Sequence, residues 1–239
     1  MNSYLSNQRM LVIAPHSDDE VFGCGGTIAR MKAAGGEVYV VCCSVADMRQ
    51  YTKDGRQQLV TAQMRSEEFG AAMRHLGVDD HEIIFTDNEK HLRLDAMPRR
   101  DLISLFERGC RLSIDKLQPT IIALPAISYN QDHEAVFKAG FTACRPQLRS
   151  VKPFQQCVLA YDNPAISWSL EREKFHPNFY VDITEYLEAK LEAVRLHASQ
   201  AKPAAHHASV ENIETLARIR GAEISAPAAE AFMCYRFVV

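Results

Sequence analysis

The feature that most constrains this chain is an almost wholly apolar segment that runs directly into a cluster of ionisable side chains. Residues 10–15 (Met-Leu-Val-Ile-Ala-Pro) have the composition of a strand that is buried on both faces. His16, Asp18, Asp19 and Glu20 follow within five positions. Like charges packed this closely after a buried strand are costly unless a cation, a substrate or a proton compensates them. The segment therefore indicates a ligand site at the carboxyl end of a strand, with a metal ion as the favoured ligand.

Short apolar runs alternate with longer helical stretches along the chain. The predicted strands lie at residues 10–15, 38–43, 82–85, 120–124, 157–160 and 179–182, and the predicted helices at 27–34, 59–76, 99–117, 132–145, 184–200 and 211–220. Alternation of this kind is typical of parallel crossovers, so the sequence predicts an α/β fold with a layered, mostly parallel sheet. The polar segments 46–57 and 86–98 are predicted to be loops over the site. No repeat or clear boundary divides the chain, and we predict a single domain over residues 1–239.

The composition argues against several classes of protein. A net charge of −3 over 239 residues, without a basic cluster, gives no reason to expect a nucleic-acid-binding surface. The N-terminal residues lack the charged start and apolar stretch of a signal peptide, and no apolar run reaches membrane-spanning length. Most of the seven cysteines lie in apolar patterns, which indicates small buried residues and not a disulfide framework. We therefore expect a cytoplasmic protein with no integral membrane segment.

The spacing of the ionisable residues suits a catalytic metal. His16 and Asp19 are three residues apart, so in a turn that enters a helix they would point to one side. Asp18 would project differently, close to the metal but free to act as a base. A catalytic zinc needs a third protein ligand and an open position for water, and His133, just past the fourth predicted strand, is the best candidate. Two histidines and one carboxylate fit Zn²⁺, with Fe²⁺ as the alternative.

Each of these elements also has a simpler interpretation. The acidic run could merely complement the positive end of a helix dipole, and His133 alone could be a surface residue at a helix start. Both segments follow buried strands of one presumed parallel sheet, which favours the metal site. The glycines at 23, 25 and 26 are followed by neither a Lys-Ser pair nor a GxGxxG pattern, so a nucleotide-binding loop is not predicted.

These motifs resemble the signature of the PIG-L/LmbE-like zinc-dependent deacetylases. Residues 14–20 (Ala-Pro-His-Ser-Asp-Asp-Glu) and 23–27 (Gly-Cys-Gly-Gly-Thr) look like its first motif, and residues 130–133 (Asn-Gln-Asp-His) stand where its second histidine motif belongs. The similarity covers nearly the whole chain. It implies a Rossmann-like three-layer fold and hydrolysis of the N-acetyl group of an amino sugar, usually an N-acetylglucosamine unit. A metal-dependent amidase or esterase for a non-sugar acyl substrate, and a non-catalytic binding protein, are the alternatives.

The resemblance also implies roles for individual residues. His16, Asp19 and His133 would bind one Zn²⁺ per chain, and Asp18 would be the general base. Asp132 would support a metal-bound histidine, cap the following helix, or do both.

The substrate pocket is predicted from the same resemblance and from the side chains near the site. Arg65 would hold hydroxyl or phosphate oxygens of a small amino-sugar substrate, with a surface ion pair to Glu68 as the alternative. Tyr161 and Trp168 could stack against a sugar face, because aromatic rings offer flat apolar surface with a polar edge. For Trp168, simple packing is the other interpretation. Assembly into a homo-oligomer is compatible with the sequence.

Asn130 is the main departure from the family pattern. Many members carry a histidine at this position, thought to assist the tetrahedral intermediate. Asparagine can donate a hydrogen bond to an oxyanion but cannot deliver a proton at neutral pH. The role of general acid then falls to Asp18, after it has gained the proton of the attacking water, or to a group that the sequence does not identify. The adjacent pair His206 and His207 is interpreted as a surface feature.

Overall fold

A seven-stranded sheet forms the centre of the protein in a computed structural model that describes residues 2–51, 56–168 and 175–239. The described strands are β1 (Arg9–His16), β2 (Glu37–Ser44), β3 (Met48–Tyr51), β4 (Gln57–Val60), β5 (Asp80–Phe85), β6 (Ile121–Pro125), β7 (Cys157–Tyr161), β8 (Phe179–Asp182) and β9 (Ala229–Phe237). The sheet has the order β5-β2-β1-β6-β7-β9-β8, and β3 pairs with β4 in a separate hairpin. The strands β5, β2, β1, β6 and β7 are parallel to one another, and β9 runs antiparallel to both of its neighbours, β7 and β8.

Helices cover both faces of this sheet. They are α1 (Asn2–Leu5), α2 (Asp19–Ala33), α3 (Ala62–His75), α4 (Arg99–Ser104), α5 (Ile114–Leu117), α6 (Gln131–Ala143), α7 (Leu187–Leu196) and α8 (Val210–Ala222). Alternate residues of β1 point to opposite faces, as the strand period requires. Met10 and Val12 belong to the core on the face covered by α2, α3, α7 and α8, while Leu11 and Ile13 belong to the core on the face covered by α4 and α6. The predicted three-layer α/β fold with a mostly parallel sheet is confirmed.

Several predicted elements need correction. The segment 46–57, predicted to be a loop, contributes the strand β3 and the first residue of β4, because Met48 to Tyr51 pair with Gln57 to Val60; residues 52–55 lie outside the described part. The helix predicted from residue 59 begins only at Ala62, after Thr61 caps it by accepting from the Met64 N–H. The stretch predicted as one helix over 99–117 is divided into α4, a π-helical turn over 105–109 and α5.

A buried ion pair ties α2 to the neighbouring elements. The Lys190 ammonium of α7 lies 2.5 Å from the Glu230 carboxylate of β9, and both side chains are almost fully shielded from solvent. Glu230 also accepts hydrogen bonds from the backbone N–H groups of Gly26 and Thr27, in the middle of α2. Lys190 donates in addition to the Phe22 carbonyl oxygen. The pair therefore holds in place the helix whose N-terminus carries the acidic cluster.

We expect Lys190→Met to lower the free energy of unfolding by about 3–5 kcal/mol, because it leaves a buried carboxylate without its counter-charge. Denaturant unfolding followed by circular dichroism measures this change. Lys138→Met is the matched control, since it removes an exposed ion pair to Glu134 on α6 and should cost less than about 0.5 kcal/mol. Equal costs for the two variants would contradict the structural role given to the buried pair.

Among the residues that the structure describes, no helix combines the length and apolar character needed to cross a bilayer.

Candidate metal centre and active site

The site lies at the carboxyl ends of the neighbouring strands β1 and β6. The chain passes from β1 to β2 on one side of this pair and from β6 to β7 on the other side. These two strands are neighbours in the sheet, and β2 and β5 extend it on one side while β7 extends it on the other. Ligands of open α/β sheets bind at such a switch point, beyond the carboxyl ends of the strands. His16 ends β1 and Asp19 begins α2, whereas His133 lies in the first turn of α6, which follows β6. The fold thus brings the two predicted halves of the metal site together.

His16, Asp19 and His133 form a compact and buried cluster. One potential ligand atom from each lies within 4.8 Å of the others. Asp19 Oδ2 is 3.4 Å from His16 Nδ1 and 3.3 Å from His133 Nε2. These three are the nitrogen and oxygen donors that a zinc ion takes in a catalytic site. They are also the only group of this kind found among residues 2–51, 56–168 and 175–239.

Other buried side chains fix the orientation of each ligand. His16 Nε2 lies 3.0 Å from Asp132 Oδ2, and His133 Nδ1 lies 2.9 Å from the Ser128 hydroxyl. These contacts leave the other nitrogen of each ring facing Asp19. Asp19 Oδ1 accepts a 2.7 Å hydrogen bond from the Asn163 amide. Partners of this kind hold metal ligands in the tautomer and orientation that coordination requires.

The charges of the cluster stabilise one another. Burial opposes ionisation of Asp19, but His133 and His16 outweigh it and hold the pKa of that carboxyl well below its usual range. Burial likewise lowers the pKa of His16, yet its hydrogen bonds to Asp132 and Asp19 raise it to about 9. His16 binds a proton readily because it lies between two carboxylates. The same negative charges would also favour a metal cation at this position.

Asp18 has a different environment from its neighbour. Its backbone has φ 140° and ψ −29°, a conformation that L-residues rarely adopt, and its side chain makes no capping hydrogen bond to α2. Burial and the charge of Asp19 raise the pKa of Asp18 to about 7, against the opposing influence of Arg65 and His197. Two adjacent carboxylates with pKa values moved in opposite directions suit two different roles, one as ligand and one as proton acceptor.

The sequence left two roles open for Asp132, capping of α6 and support of a metal-bound histidine. In the structure Asn130 takes the first and Asp132 contacts His16. Asn130 caps α6, since its side-chain oxygen accepts from the Asp132 N–H at 2.9 Å. The Asp132 carboxylate does not cap the helix. It accepts from the Leu94 N–H at 2.8 Å with one oxygen and contacts His16 with the other. The cap interpretation of Asp132 is therefore wrong, and its contact with a candidate ligand is what the structure shows.

Arg65 belongs to a hydrogen-bonded chain that sequence reasoning missed. Its guanidinium donates to His91 Nε2 at 3.0 Å, and His91 Nδ1 lies 3.0 Å from the Ser44 hydroxyl, which donates to the Pro15 carbonyl. An arginine can only donate, so His91 Nε2 accepts and the ring is neutral. Burial and the neighbouring charges of His16 and Arg65 lower the pKa of His91 to about 3. His91 lies in the segment 86–98 that the sequence predicts to be a loop over the site, but no motif in that segment singles out this residue.

The alternative ion pair of Arg65 with Glu68 does not form among the described contacts. Glu68 instead accepts hydrogen bonds from the Ser199 N–H and hydroxyl, at 2.7 and 2.6 Å. Arg65 is only 3% exposed and lines the cavity over the metal cluster. Its position next to the site agrees with the substrate-binding role predicted for it.

A cavity of about 680 Å³ opens over the cluster. His16, Asp18, Asp19, Arg65, His91, Asn130, His133 and Lys202 are among the residues that line it. The hairpin of β3 and β4 contributes Met48, Gln50 and Tyr51 to the wall. His206 and His207 are half-exposed, and this surface pair also lines the cavity. His207 packs edge-on against Tyr129, with 6.2 Å between the ring centroids.

Neither aromatic residue predicted to stack on a sugar is in this wall. Tyr161 is fully buried, and its hydroxyl donates to the Ile13 carbonyl at 3.1 Å. A Cβ atom at position 23 would overlap its ring, which explains why α2 has Gly23 where it crosses Tyr161. Trp168 is 79% exposed and does not line the cavity. The stacking role predicted for Tyr161 is wrong because the ring is a core side chain, and the position of Trp168 gives that role no support.

The sequence matches the model of the family described as PIG-L, GlcNAc-PI de-N-acetylase, over residues 11–144. This match covers more than half of the chain and includes every residue of the metal cluster. The chain belongs to the PIG-L family.

Two proteins named as deacetylases are similar to the chain in sequence, and a crystal structure of another protein is similar to it in fold. The PIG-L chain is 28% identical over 83% of its length to the uncharacterized deacetylase YaiS of Escherichia coli, of which 95% is covered. It is 29% identical over 81% of its length to the diacetylchitobiose deacetylase of Thermococcus kodakarensis, of which 70% is covered. Its fold is similar to the crystal structure of GalB, a 4-carboxy-2-hydroxymuconate hydratase from Pseudomonas putida, with a TM-score of 0.74, 20% identity and coverage of 97% and 98% of the two chains.

We expect Asp132→Asn to weaken metal binding by roughly 10- to 100-fold, because it removes the charged partner that orients His16. Competition with a chromophoric chelator measures this affinity in the PIG-L chain. Asp101→Asn, an exposed change on α4, is the control and should leave the affinity unaltered. An unchanged affinity in the Asp132 variant would show that the contact with His16 does not support the site.

Proposed function

We propose that the protein is a metal-dependent hydrolase that removes the N-acetyl group from an N-acetylglucosamine-type amino sugar or its conjugate. We further propose that residues 1–239 act as a single catalytic domain. The observation that carries the proposal is the convergence of His16, Asp19 and His133 beneath a cavity that Asp18 also lines. Membership of a de-N-acetylase family and the likeness to a diacetylchitobiose deacetylase support the choice of reaction.

The donor set fits a divalent metal. One ring nitrogen of His16 contacts Asp132, and one ring nitrogen of His133 contacts Ser128. The other nitrogen of each ring faces Asp19, and all three side chains of the cluster are buried. We propose that they hold one Zn²⁺, with Fe²⁺ as the alternative. When bound, such an ion supplies a Lewis acid that lowers the pKa of water and polarises a carbonyl oxygen.

The protein's own residues handle the proton. Asp18 is in the cavity wall and is not one of the three ligands, so its carboxylate is free to accept the proton of the water that attacks the amide carbonyl. The pKa of Asp18, raised to about 7, matches a group that takes up a proton and gives it back near neutral pH. We propose that the same carboxyl then donates this proton to the leaving amine as the C–N bond breaks.

Asn130 and Arg65 would stabilise charge during the reaction. The side-chain oxygen of Asn130 is used by the helix cap, which leaves its amide N–H groups as donors toward the developing oxyanion. Arg65 is held by His91 at the cavity wall and would bind substrate oxygens. Each of these roles concerns stabilisation and needs no proton transfer from either residue.

A metal-dependent amidase or esterase for a non-sugar acyl substrate is the second candidate. It is favoured by the fold likeness to a hydratase, because the same fold evidently accommodates other chemistry. A substrate panel separates the two candidates. Acetate release from N-acetylglucosamine derivatives, and none from simple acetamides and acetate esters, is the result expected of the amino-sugar deacetylase.

The deciding experiment measures metal content and acetate release on the same preparation. We expect close to one zinc ion per chain after purification without chelators, together with acetate from at least one member of the panel. The panel contains free N-acetylglucosamine, diacetylchitobiose, a nucleotide-linked form and a simple glycoside. Hydrolysis of acetamides alone would transfer the assignment to the second candidate, and protein that takes up no metal would overturn both.

A further inference from the structure

Lys202 stands at the junction of two cavities. It lines the cavity over the metal cluster and also an adjoining cavity of about 500 Å³. The two cavities share Phe22, Gln200 and Ala208 as well. A conjugate whose acetylated ring lies over the metal cluster could therefore extend past Lys202 into the second cavity.

A chain of polar contacts fixes the position of Lys202. Its ammonium donates to Gln50 Oε1 at 3.1 Å. Gln50 in turn donates to Gln200 at 2.9 Å, and Gln200 donates to the Ser199 hydroxyl, which is bound to Glu68. The chain connects the β3–β4 hairpin, α3 and the segment after α7. Lys202 is thus held in the cavity wall by a chain of hydrogen bonds.

The ammonium of Lys202 is not paired directly with a carboxylate in the part of the chain that the structure describes. Its hydrogen bond goes to the neutral Gln50 amide, and Asp18, which lines the same cavity, acts on it only through space. An ammonium has three donors, so two stay available. Burial lowers the pKa of Lys202. The charge of Asp18 opposes this shift, and the positive charge of Arg65 adds a smaller lowering influence. A half-buried cation of this kind is stabilised by an anionic ligand.

Arg65 is a second cation in the same wall. It is nearly fully buried, it also has no recorded carboxylate partner among the described residues, and its Nε has no hydrogen-bond acceptor. The carboxylates in the same wall are Asp18 and Asp19, of which Asp19 faces His16 and His133. Lys202 lies beyond this cluster, where the second cavity begins; Arg195 and Glu211 also line that cavity.

We propose that Lys202 recognises an anionic group, a phosphate or a carboxylate, on the part of the amino-sugar conjugate that lies beyond the acetylated ring. This inference rests on the proposed function, since it names the class of substrate for the same site. It predicts that the protein prefers acidic conjugates of N-acetylglucosamine to neutral glycosides and oligosaccharides. The residue acts on binding and takes no part in the chemical step.

Binding of the deacetylated products tests the inference without requiring catalysis. The probes are glucosamine 1-phosphate, glucosaminyl malate and methyl glucosaminide, titrated into the purified metal-loaded protein by calorimetry. We expect at least one acidic probe to bind roughly tenfold or more tightly than the neutral one, because a partly desolvated ion pair is gained. A preference for only the phosphate or only the malate identifies which anion the site accepts, and both outcomes support the proposal.

Substitutions then connect the preference to Lys202. Lys202→Met and Lys202→Gln should abolish the difference between acidic and neutral probes, and Lys202→Arg should restore most of it. Lys116→Met is the matched control, because Lys116 also donates to a neutral oxygen, the Cys110 carbonyl, but lines neither cavity. Equal affinity of the wild type for all three probes, or a preference that survives in Lys202→Met, would overturn the inference.

Acetate release from the acetylated counterparts distinguishes failure of the inference from failure of the proposed function. If the protein hydrolyses neutral and acidic substrates equally well, the deacetylase stands and the role of Lys202 is wrong. If the acidic products bind through Lys202 but no acetylated counterpart is hydrolysed, the anion site stands and the proposed reaction is wrong.

Discussion

Replacing Asp18 by asparagine is expected to lower kcat for acetate release by about 10³-fold, with the metal still bound. The reason is that a positioned general base contributes roughly 10²- to 10⁴-fold, and asparagine cannot accept the proton. Asparagine has nearly the same shape and tolerates unusual backbone angles better than most residues, which matters at φ 140°. Steady-state kinetics and metal analysis of the same preparation measure both quantities.

Asp18→Ala provides a second variant. Its residual kcat should equal that of Asp18→Asn if the loss of activity comes from loss of the carboxylate. Asp47→Asn, outside the cavity wall, is the control for loss of one carboxylate near the site. Unchanged hydrolysis in both Asp18 variants would disprove the proposed mechanism. Loss of the metal together with activity would instead make Asp18 a ligand and not a base.

Replacing His133 by alanine is expected to abolish both metal binding and hydrolysis. Loss of an outer partner of a ligand costs about 10- to 100-fold in affinity, and loss of a ligand itself should cost more. His133 is buried and supplies one of the three donor atoms, so water cannot easily take its place in the same geometry. Metal content after dialysis and acetate release from the preferred substrate are the two measurements.

His75→Ala on the exposed surface of α3 is the matched control and should retain both properties. Treatment of the wild type with a strong chelator should reproduce the His133 variant, and added zinc should restore the wild type only. A His133 variant that keeps full metal content would show that the cluster of His16, Asp19 and His133 is not the binding site.

The convergence of His16, Asp19 and His133 could be predicted because its signals are local. His16, Asp18 and Asp19 follow directly on a buried strand, and His133 follows another, so the rule for strand ends was enough to place them together. The strand and helix periodicities also predicted the layered parallel sheet, since both faces of β1 are apolar. These features depend on residues close to one another in the chain.

The substrate pocket could not be predicted to the same extent because its walls form through tertiary contacts. Tyr161 has an aromatic ring with a polar edge, as a sugar-binding residue would, but the packing of α2 on β7 makes it a core side chain. His91, Lys202 and His206 are brought to the cavity by segments without regular pattern. A polar run also concealed β3, whose residues alternate between half-buried and exposed.

The partnership of His16 with Asp132 joins residues 116 positions apart, so the site exists only after β1 and β6 have paired. An unfolded chain offers no preformed cluster, and an ion that binds only the native form shifts the folding equilibrium by mass action. A free ion at a hundred times its dissociation constant would add about 2.7 kcal/mol to the stability. The proposed metal ion would then also report the conformation of the protein, because a melting temperature that rises with metal concentration indicates that β1 and β6 have paired.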